Sequence, residues 1–329
     1  MQLDVCGLGN ALMDVLIRLD DDAVLKTLGL RKGIMHLVDA EAWSRAYEAV
    51  RHLPTEVSPG GSCANTISTL SLLGAHTLFC GQVADDDLGH RYGEALTGIC
   101  GGHRLHTVGA ATGATGRCLS LISADGERTM LTCLGVAIEL APEHLFREAL
   151  GHGKTLHLTG YQFTGGRMGD TAREALEVAR HHGVKVSFDV ADPFVIRFHR
   201  ELIWEIIERY ADIVFTNEEE ARALCELPPL EAAHELAQHT SIAVVKMGSR
   251  GSVIQRGTEV VTVGIHRVEA VDTTGAGDAY AGGLLYGLSR EWSLERAGHL
   301  AARVAAETVA QTGAVVHRPG ALRDIAAGA

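Results

Sequence analysis

Short apolar runs alternate with longer amphipathic stretches between about residues 154 and 246. Apolar runs of this kind are typical of buried strands, and apolar residues at every third or fourth position are typical of helices. The pattern predicts strands at 155–159, 184–189, 212–216 and 242–246, and helices at 168–182 and 199–210. Since such alternation is typical of parallel sheets, we expect an α/β fold with a mostly parallel sheet flanked by helices on both faces.

The N-terminal part repeats this pattern, with predicted strands at 4–9 and 77–80 and predicted helices at 62–73 and 86–99. Residues 11–40 and 103–135 interrupt it. In the second interruption two apolar runs flank Asp125-Gly126, a dipeptide that favours a tight β-hairpin. We therefore expect one domain over residues 1–329, with a small inserted β-lid built from about residues 11–40 and 103–135.

Composition excludes several classes of partner. The net charge of −12 disfavours nucleic acid, which needs a basic surface, and there is no run of ~20 apolar residues to span a membrane. The seven cysteines are scattered and form no CxxC pair, as in reduced proteins of the cytoplasm. We expect a cytoplasmic protein that acts on small molecules as a monomer or homodimer.

The segment Asp272-Thr-Thr-Gly-Ala-Gly-Asp278 carries the clearest chemical signal. It lies between an apolar run at 268–271, interpreted as a strand end, and a predicted helix at 279–288. Glycines at a helix N-terminus leave N–H groups unpaired, so Gly275, Ala276 and Gly277 predict an anion site. A carboxylate beside such a site suits a base that takes a proton from a hydroxyl during phosphoryl transfer. We assign that role to Asp278 and expect the helix dipole to favour its ionised form.

A second group of candidate residues follows the first strand. Asn10, Leu12 and Asp14 alternate along the chain, so in extended backbone their side chains face the same side. An amide, an apolar side chain and a carboxylate in one row could bind two neighbouring hydroxyls and a flat ring. An edge strand with polar residues facing solvent is the structural alternative.

The glycine-rich segment resembles the C-terminal signature of the ribokinase-type carbohydrate and nucleoside kinases, the PfkB family. Three further motifs of that family occur in the right order, namely Pro59-Gly60-Gly61-Ser62-Cys63-Ala64-Asn65, Asn217-Glu-Glu-Glu220 and Lys246-Met-Gly248-Ser-Arg-Gly251. The N-terminal Gly-x-Gly-Asn-x-Leu-x-Asp pattern is most similar to adenosine kinases. The resemblance covers essentially the whole chain and implies a ribokinase-like fold that uses ATP and Mg²⁺.

The resemblance also implies roles for individual residues. On the acceptor side, Gly60 and Gly61 would be the hinge of the lid, and Asn65 would bind a sugar hydroxyl. On the ATP side the implied residues are Asn217 and Glu220 around Mg²⁺, Lys246, Gly248 and Gly251 against the nucleotide, and Arg128 on the transferred phosphate. Asp272 and Thr274, with the later loop at 308–317, would hold a K⁺ ion, partly through main-chain oxygens.

These observations predict an ATP-dependent kinase that phosphorylates a primary hydroxyl of a nucleoside, with adenosine as first choice. A sugar kinase for fructose, ribose or 2-keto-3-deoxygluconate is the alternative. The segment Phe188-Asp-Val-Ala-Asp-Pro193 lacks the Asn of the Asp-x-Asn motif of many sugar kinases, which weakens that alternative. A nucleotide-binding protein without turnover is a remote third possibility, because a pure binder gains nothing from a carboxylate facing phosphate.

Overall fold

The computed structural model describes residues 2–100, 102–318 and 320–329. Its strands are β1 (Val5–Leu8), β2 (Leu12–Arg18), β3 (Met35–Leu37), β4 (Thr55–Gly60), β5 (Thr77–Ala84), β6 (His103–Val108), β7 (Gly116–Ile122), β8 (Arg128–Cys133), β9 (Thr155–Thr159), β10 (Lys185–Asp189), β11 (Ile213–Asn217), β12 (Ile242–Lys246), β13 (Ser252–Arg256) and β14 (Glu259–Val263).

Its α-helices are α1 (Ala23–Thr27), α2 (Ala40–Val50), α3 (Ser62–Leu73), α4 (Asp87–Cys100), α5 (Arg147–Gly151), α6 (Met168–His182), α7 (Pro193–Arg209), α8 (Glu218–Cys225), α9 (Pro229–Leu236), α10 (Ala276–Ser289), α11 (Leu294–Val309) and α12 (Ala321–Ala327). Among the described residues, no helix is both long and apolar enough to cross a lipid bilayer.

The large sheet has the strand order β14-β13-β12-β11-β10-β9-β1-β5-β6, and all its neighbouring strands pair parallel except β13, which is antiparallel to β12 and to β14 at one edge. Neighbouring residues of a strand face opposite cores. In β11, Val214 packs into one hydrophobic cluster, whereas Ile213 and Phe215 pack into another on the opposite face. Helices cover both faces, which explains the continuous apolar runs and confirms the expected α/β fold.

The small sheet has the order β3-β8-β7-β2-β4. The predicted hairpin is confirmed, since β7 and β8 pair antiparallel around Asp125-Gly126. The predicted bounds of the lid were wrong at two places. Strand β6 joins the large sheet beside β5, and β4, beyond residue 40, joins the small one. Helix α2 was missed although it carries Trp43 and Val50, which pack against the small sheet.

Helices α3 and α10 pack closely against each other. At Gly282 of α10 an added Cβ would lie 2.8 Å from Cγ2 of Thr69 on α3, so only glycine allows this approach. Helix α10 starts at Ala276, three residues before the predicted start. The run at 268–271, interpreted as a strand end, is irregular, and Val268 and Val271 are exposed.

The seven cysteine side chains are all free thiols, as the scattered spacing predicted. Six are buried, and Cys225 is partly exposed. Burial raises the pKa of Cys6 and of Cys80 to about 12, so both stay protonated at neutral pH. The thiols act as small apolar side chains of the core.

Candidate active site

Asp278 lies in the first turn of α10, and its carboxylate is held by the first turn of α3. The hydroxyl of Ser62 donates to Oδ1 at 2.7 Å, and the amide of Asn65 donates to Oδ2 at 2.9 Å. Thr66 donates to the backbone carbonyl of the same aspartate at 3.3 Å. Two helix N-termini therefore meet at one carboxylate and fix its orientation.

Burial raises the pKa of Asp278 to about 6, although the hydrogen bonds from Ser62 and Asn65 act in the opposite direction. The sequence had favoured the ionised form through the helix dipole, so the direction of the shift was not foreseen. At pH 7 a group with this pKa is still roughly nine-tenths ionised. The position suits a general base, whose pKa is best placed near the working pH.

The predicted anion site lies at the N-terminus of α10. Gly275 adopts a left-handed conformation with φ of 72° and precedes the first helical residue, Ala276. Within the described part of the chain, the N–H groups of Gly275, Gly277 and Asp278 contact no acceptor. Three free donors at a helix N-terminus can bind the oxygens of a phosphate.

Lys246 places a positive charge beside this anion site. An added Cβ at Gly277 would lie 3.3 Å from Nζ of Lys246. The ammonium group donates to Oδ2 of Asp189 at 2.7 Å, and both side chains are largely buried. Burial alone would lower the pKa of Lys246, but attraction to Asp189 and Glu220 raises it, so the side chain stays charged.

Asn217 and Glu220 form a capping box at the start of α8. Oε2 of Glu220 accepts from the backbone N–H of Asn217 at 2.7 Å, and Oε1 accepts from its side-chain amide at 2.5 Å. Burial and repulsion from Asp189 raise the pKa of Glu220. Both side chains reach the cavity described below, but the cap already engages both carboxylate oxygens.

On the acceptor side, β2 and β4 bring Asp14 and the glycine pair together. An added Cβ at Gly60 would lie 2.3 Å from Oδ2 of Asp14, and one at Gly61 would lie 2.3 Å from the carbonyl oxygen of Asn10. Gly61 also has φ of 96°, which disfavours other residues. Glycine is therefore needed at both positions because a larger side chain would not fit. At Gly61 it is also needed because of the positive φ. Burial raises the pKa of Asp14 to about 7.

Arg128, which was expected at the transferred phosphate, instead donates to Oδ2 of Asp272; the carboxylate is buried and the arginine side chain is largely buried. Asp272 also accepts from the backbone N–H groups of Thr274 at 2.9 Å and Gly313 at 2.6 Å. The lid is thus joined to the anion-site loop by a buried ion pair.

A cavity of about 880 Å³ connects these groups, a size typical of small-molecule sites. Most of the predicted site residues line it: Asn10, Leu12, Asp14, Gly61, Asn65, Asn217, Glu220, Lys246, Gly248, Gly251, Thr274, Ala276, Gly277 and Asp278. Four do not: Gly60, Arg128, Asp272 and Gly275. Glycine is also required at position 251 by the fold, because an added Cβ would lie 2.0 Å from the carbonyl oxygen of Val263.

Ser62 and Asp189 contact the predicted base and the predicted lysine, although the sequence alone predicted no role for either. Asp189 ends β10, and ligands of parallel sheets bind beyond the carboxyl ends of strands, so its position was a usable signal. Ser62 directly follows the glycine pair and is the first residue of helix α3, so its hydroxyl lies at a helix N-terminus. The contacts of Ser62 with Asp278 and of Asp189 with Lys246 could not be predicted without the tertiary structure.

The pattern of the pfkB family carbohydrate kinases matches residues 33–319. An adenosine kinase from Sinorhizobium meliloti has 33% identity and a TM-score of 0.92, covering 100% of this chain and 99% of its own. A probable sugar kinase from Rhizobium etli has 31% identity and a TM-score of 0.93 with the same coverage.

A 5-dehydro-2-deoxygluconokinase from Geobacillus thermodenitrificans is 30% identical over 72% of this chain and 74% of its own length. These relatives differ in the acceptors that their names state, but all are named as kinases. With the family pattern spanning most of the chain, and a carboxylate held beside a helix N-terminus, this protein belongs to the pfkB family of carbohydrate kinases, phosphotransferases with an alcohol group as acceptor.

Proposed function

We propose that this kinase transfers the γ-phosphate of ATP to a primary hydroxyl of a nucleoside, with adenosine as the first candidate. Kinases of this family use ATP and Mg²⁺. The observation that carries the nucleoside assignment is the apolar lining of the cavity next to Asp14. The likeness to the Sinorhizobium meliloti adenosine kinase over the whole chain supports it.

The acceptor end of the cavity combines polar and apolar groups. Side chains of the small sheet and the segment after it line it: Leu12, Met35, Leu37, Met130 and Leu134. A free sugar has hydroxyls on every side and gains little from such a surface. A flat heterocyclic base can bury its faces against these side chains, since apolar burial contributes about 25 cal/mol per Å². The lining therefore favours a ribose that carries a base.

Two polar groups at this end suit the ribose. Oδ1 of Asn10 is buried and has no hydrogen-bond partner among the described residues, although its amide nitrogen donates to the carbonyl oxygen of Tyr161 at 3.4 Å. Buried polar atoms are nearly always paired, so this oxygen is suited to accept from a ligand hydroxyl. The Asp14 carboxylate can accept from one or both hydroxyls of a vicinal pair.

The chemical step follows from the groups around Asp278. Its carboxylate accepts the proton of the attacking hydroxyl, and Ser62 and Asn65 keep it aimed at that hydroxyl. The free N–H groups of α10 and the ammonium group of Lys246 stabilise negative charge on the phosphoryl oxygens.

The strands from β12 to β14 would hold the ATP, with Gly248 at the nucleotide. Oxygen ligands suit Mg²⁺, which keeps several waters and binds through substrate phosphates, so Asn217 and Glu220 would contact its water shell. When bound, Mg²⁺ neutralises phosphate charge.

The test is ADP release with Mg-ATP and single acceptors: adenosine, 2′-deoxyadenosine, guanosine, ribose, fructose and 2-keto-3-deoxygluconate. We expect turnover with adenosine and at least about tenfold lower kcat/KM with 2′-deoxyadenosine, because the loss of one hydroxyl leaves a buried acceptor unpaired. Turnover of free sugars alone, or equal use of adenosine and its 2′-deoxy analogue, contradicts the proposal. Turnover of free sugars alone would establish the sugar-kinase alternative. Neither outcome would change the assignment to the family.

A further inference from the structure

Asp272 connects two loops at the anion site. Its carboxylate is almost fully buried and binds two backbone N–H groups, one in the loop before α10 and one in the loop after α11. The two loops are in direct contact, since an added Cβ at Gly275 would lie 2.5 Å from the carbonyl oxygen of Ala314. The charge of Asp272 thus helps to set the geometry of the donors that face the phosphate.

The positive charge that balances Asp272 comes from the small sheet. The guanidinium group of Arg128, on β8, donates to this carboxylate across 144 residues of sequence. Asp14 is a second carboxylate near Arg128, and the charge of the arginine opposes the burial that raises the pKa of Asp14. Arg128 therefore lies between Asp14 at the acceptor site and Asp272 at the anion site, and it is paired with Asp272.

The resemblance implies a K⁺ ion at Asp272, Thr274 and the loop at 308–317, held partly by main-chain oxygens, and the carboxylate of Asp272 does not fit that ion. Oδ2 of Asp272 already accepts from Arg128 and Gly313, and Oδ1 accepts from Thr274. A guanidinium group on the same carboxylate repels a second cation, and the three hydrogen bonds occupy most of the lone-pair directions of the two oxygens. The carboxylate of Asp272 is therefore better suited to pair with an arginine side chain of the protein than to bind a metal ion.

We propose that Arg128 is a positioning residue that acts through Asp272. It replaces a monovalent cation at the anion site and makes the activity independent of K⁺. The contact also makes the anion site complete only when the small sheet lies against the body. The inference rests on kinase activity and not on the identity of the acceptor.

The first test measures turnover at fixed ionic strength in KCl and in tetramethylammonium chloride, with any acceptor that the chain phosphorylates. Wild type should have the same rate in both salts within about twofold. Arg128→Met should lose about tenfold or more in tetramethylammonium, because the anion-site donors lose their order, and K⁺ should restore part of the loss. A purely structural role would not create a response to K⁺.

Arg18→Met is the matched control. Arg18 also joins the small sheet to the loop after α11, donating to Oγ1 of Thr312 at 3.2 Å, but the contact is exposed and does not touch Asp272. This variant should show no response to K⁺. If both arginine variants respond alike, loosening of the lid explains the effect and the proposal is wrong.

A second readout does not depend on turnover. The melting temperature of Arg128→Met, and of Arg128→Gln as a less disruptive change, should rise by about 1–2 °C in K⁺ relative to tetramethylammonium, because an ion that binds only the folded state stabilises it. Wild type should show no such difference.

A wild-type enzyme that requires K⁺, or Arg128 variants that K⁺ neither activates nor stabilises, would overturn the inference. If neither variant folds, the wild-type comparison decides alone. Failure of the nucleoside assignment gives a different result, since no nucleoside is then turned over in either salt.

Discussion

The side-chain amide of Asn65 donates to Oδ2 of Asp278 at 2.9 Å, although 213 residues separate the two in sequence. The contact joins the first turn of α3 to the first turn of α10. The segment after the glycine pair and the segment at the end of the C-terminal signature are therefore parts of one structure, a carboxylate held at a fixed angle. The effect of changing either residue should appear in the chemistry of the base.

Asp278→Asn should lower kcat by at least about 100-fold, because a positioned base contributes 10²–10⁴-fold to rate. The KM for ATP should stay near the wild-type value, since the change removes basicity and not a donor to the nucleotide. Burial raises the pKa of Asp278 to about 6, so its contribution to stability is present at low pH and is lost as pH rises through 6. The neutral variant should therefore melt no lower than wild type at pH 8.

The control for this variant is Asp170→Asn, which changes an exposed first-turn aspartate of α6. It should keep wild-type turnover. Activity of the Asp278 variant within a few-fold of wild type would show that another group is the base.

The pH profile should reveal the environment of the base. As pH falls through about 6, Asp278 gains a proton and kcat should fall. The hydrogen bond from Asn65 lowers the pKa of Asp278, so Asn65→Ala should move the acidic limb of the kcat profile to higher pH. If Asn65 only binds a sugar hydroxyl, the acceptor KM rises and the limb stays in place. Steady-state rates between pH 5 and 8.5 separate the two roles.

Gly60→Ala should weaken acceptor binding and leave ATP binding unchanged. The new methyl group would lie within 2.3 Å of Oδ2 of Asp14, so the carboxylate must move away from the acceptor. We expect the acceptor KM to rise by about tenfold or more, as for loss of a charged hydrogen-bond partner. Gly98→Ala, in α4 with no atom near the added Cβ, is the control and should behave as wild type. An unchanged acceptor KM in Gly60→Ala would mean that Asp14 does not contact the acceptor.

Lys246→Met should impair both turnover and stability. The charge beside the anion site is lost, which should cost about 100-fold in kcat. Asp189 is left buried without its partner, and breaking such a pair costs about 3–5 kcal/mol. The double variant Lys246→Met/Asp189→Asn should recover much of the melting temperature but none of the activity. Recovery of activity in the double variant would show that Lys246 serves the fold and not the phosphate.

The periodicity of apolar residues predicted the large sheet well, because β9 to β12 are buried on both faces and leave continuous apolar runs. It could not delimit the small sheet. Strand β4, with the sequence Thr-Glu-Val-Ser-Pro-Gly, is mostly exposed or half-buried and has no such run. Strand β6, with the sequence His-Arg-Leu-His-Thr-Val, lies at the edge of the large sheet and has no apolar run either, so it was not separated from the lid.

The candidate site divides in the same way. Asp278 and the glycines before it could be identified because helix N-termini and glycines leave a local pattern. The partners Ser62 for Asp278, Asp189 for Lys246 and Arg128 for Asp272 are set by strand order and lid position, and no local pattern encodes them. The direction of the pKa shift of Asp278 was missed for the same reason, because the degree of burial is a tertiary property.

The close packing of Gly282 against Thr69 lies one helical turn beyond the contact between Asn65 and Asp278. A larger side chain at Gly282 would push the two helices apart and would change the angle at which the base meets its acceptor. Homologues can therefore diverge in turnover through residues that touch neither substrate. In a library selected for altered rate, beneficial substitutions should accumulate along this helix pair as well as in the cavity.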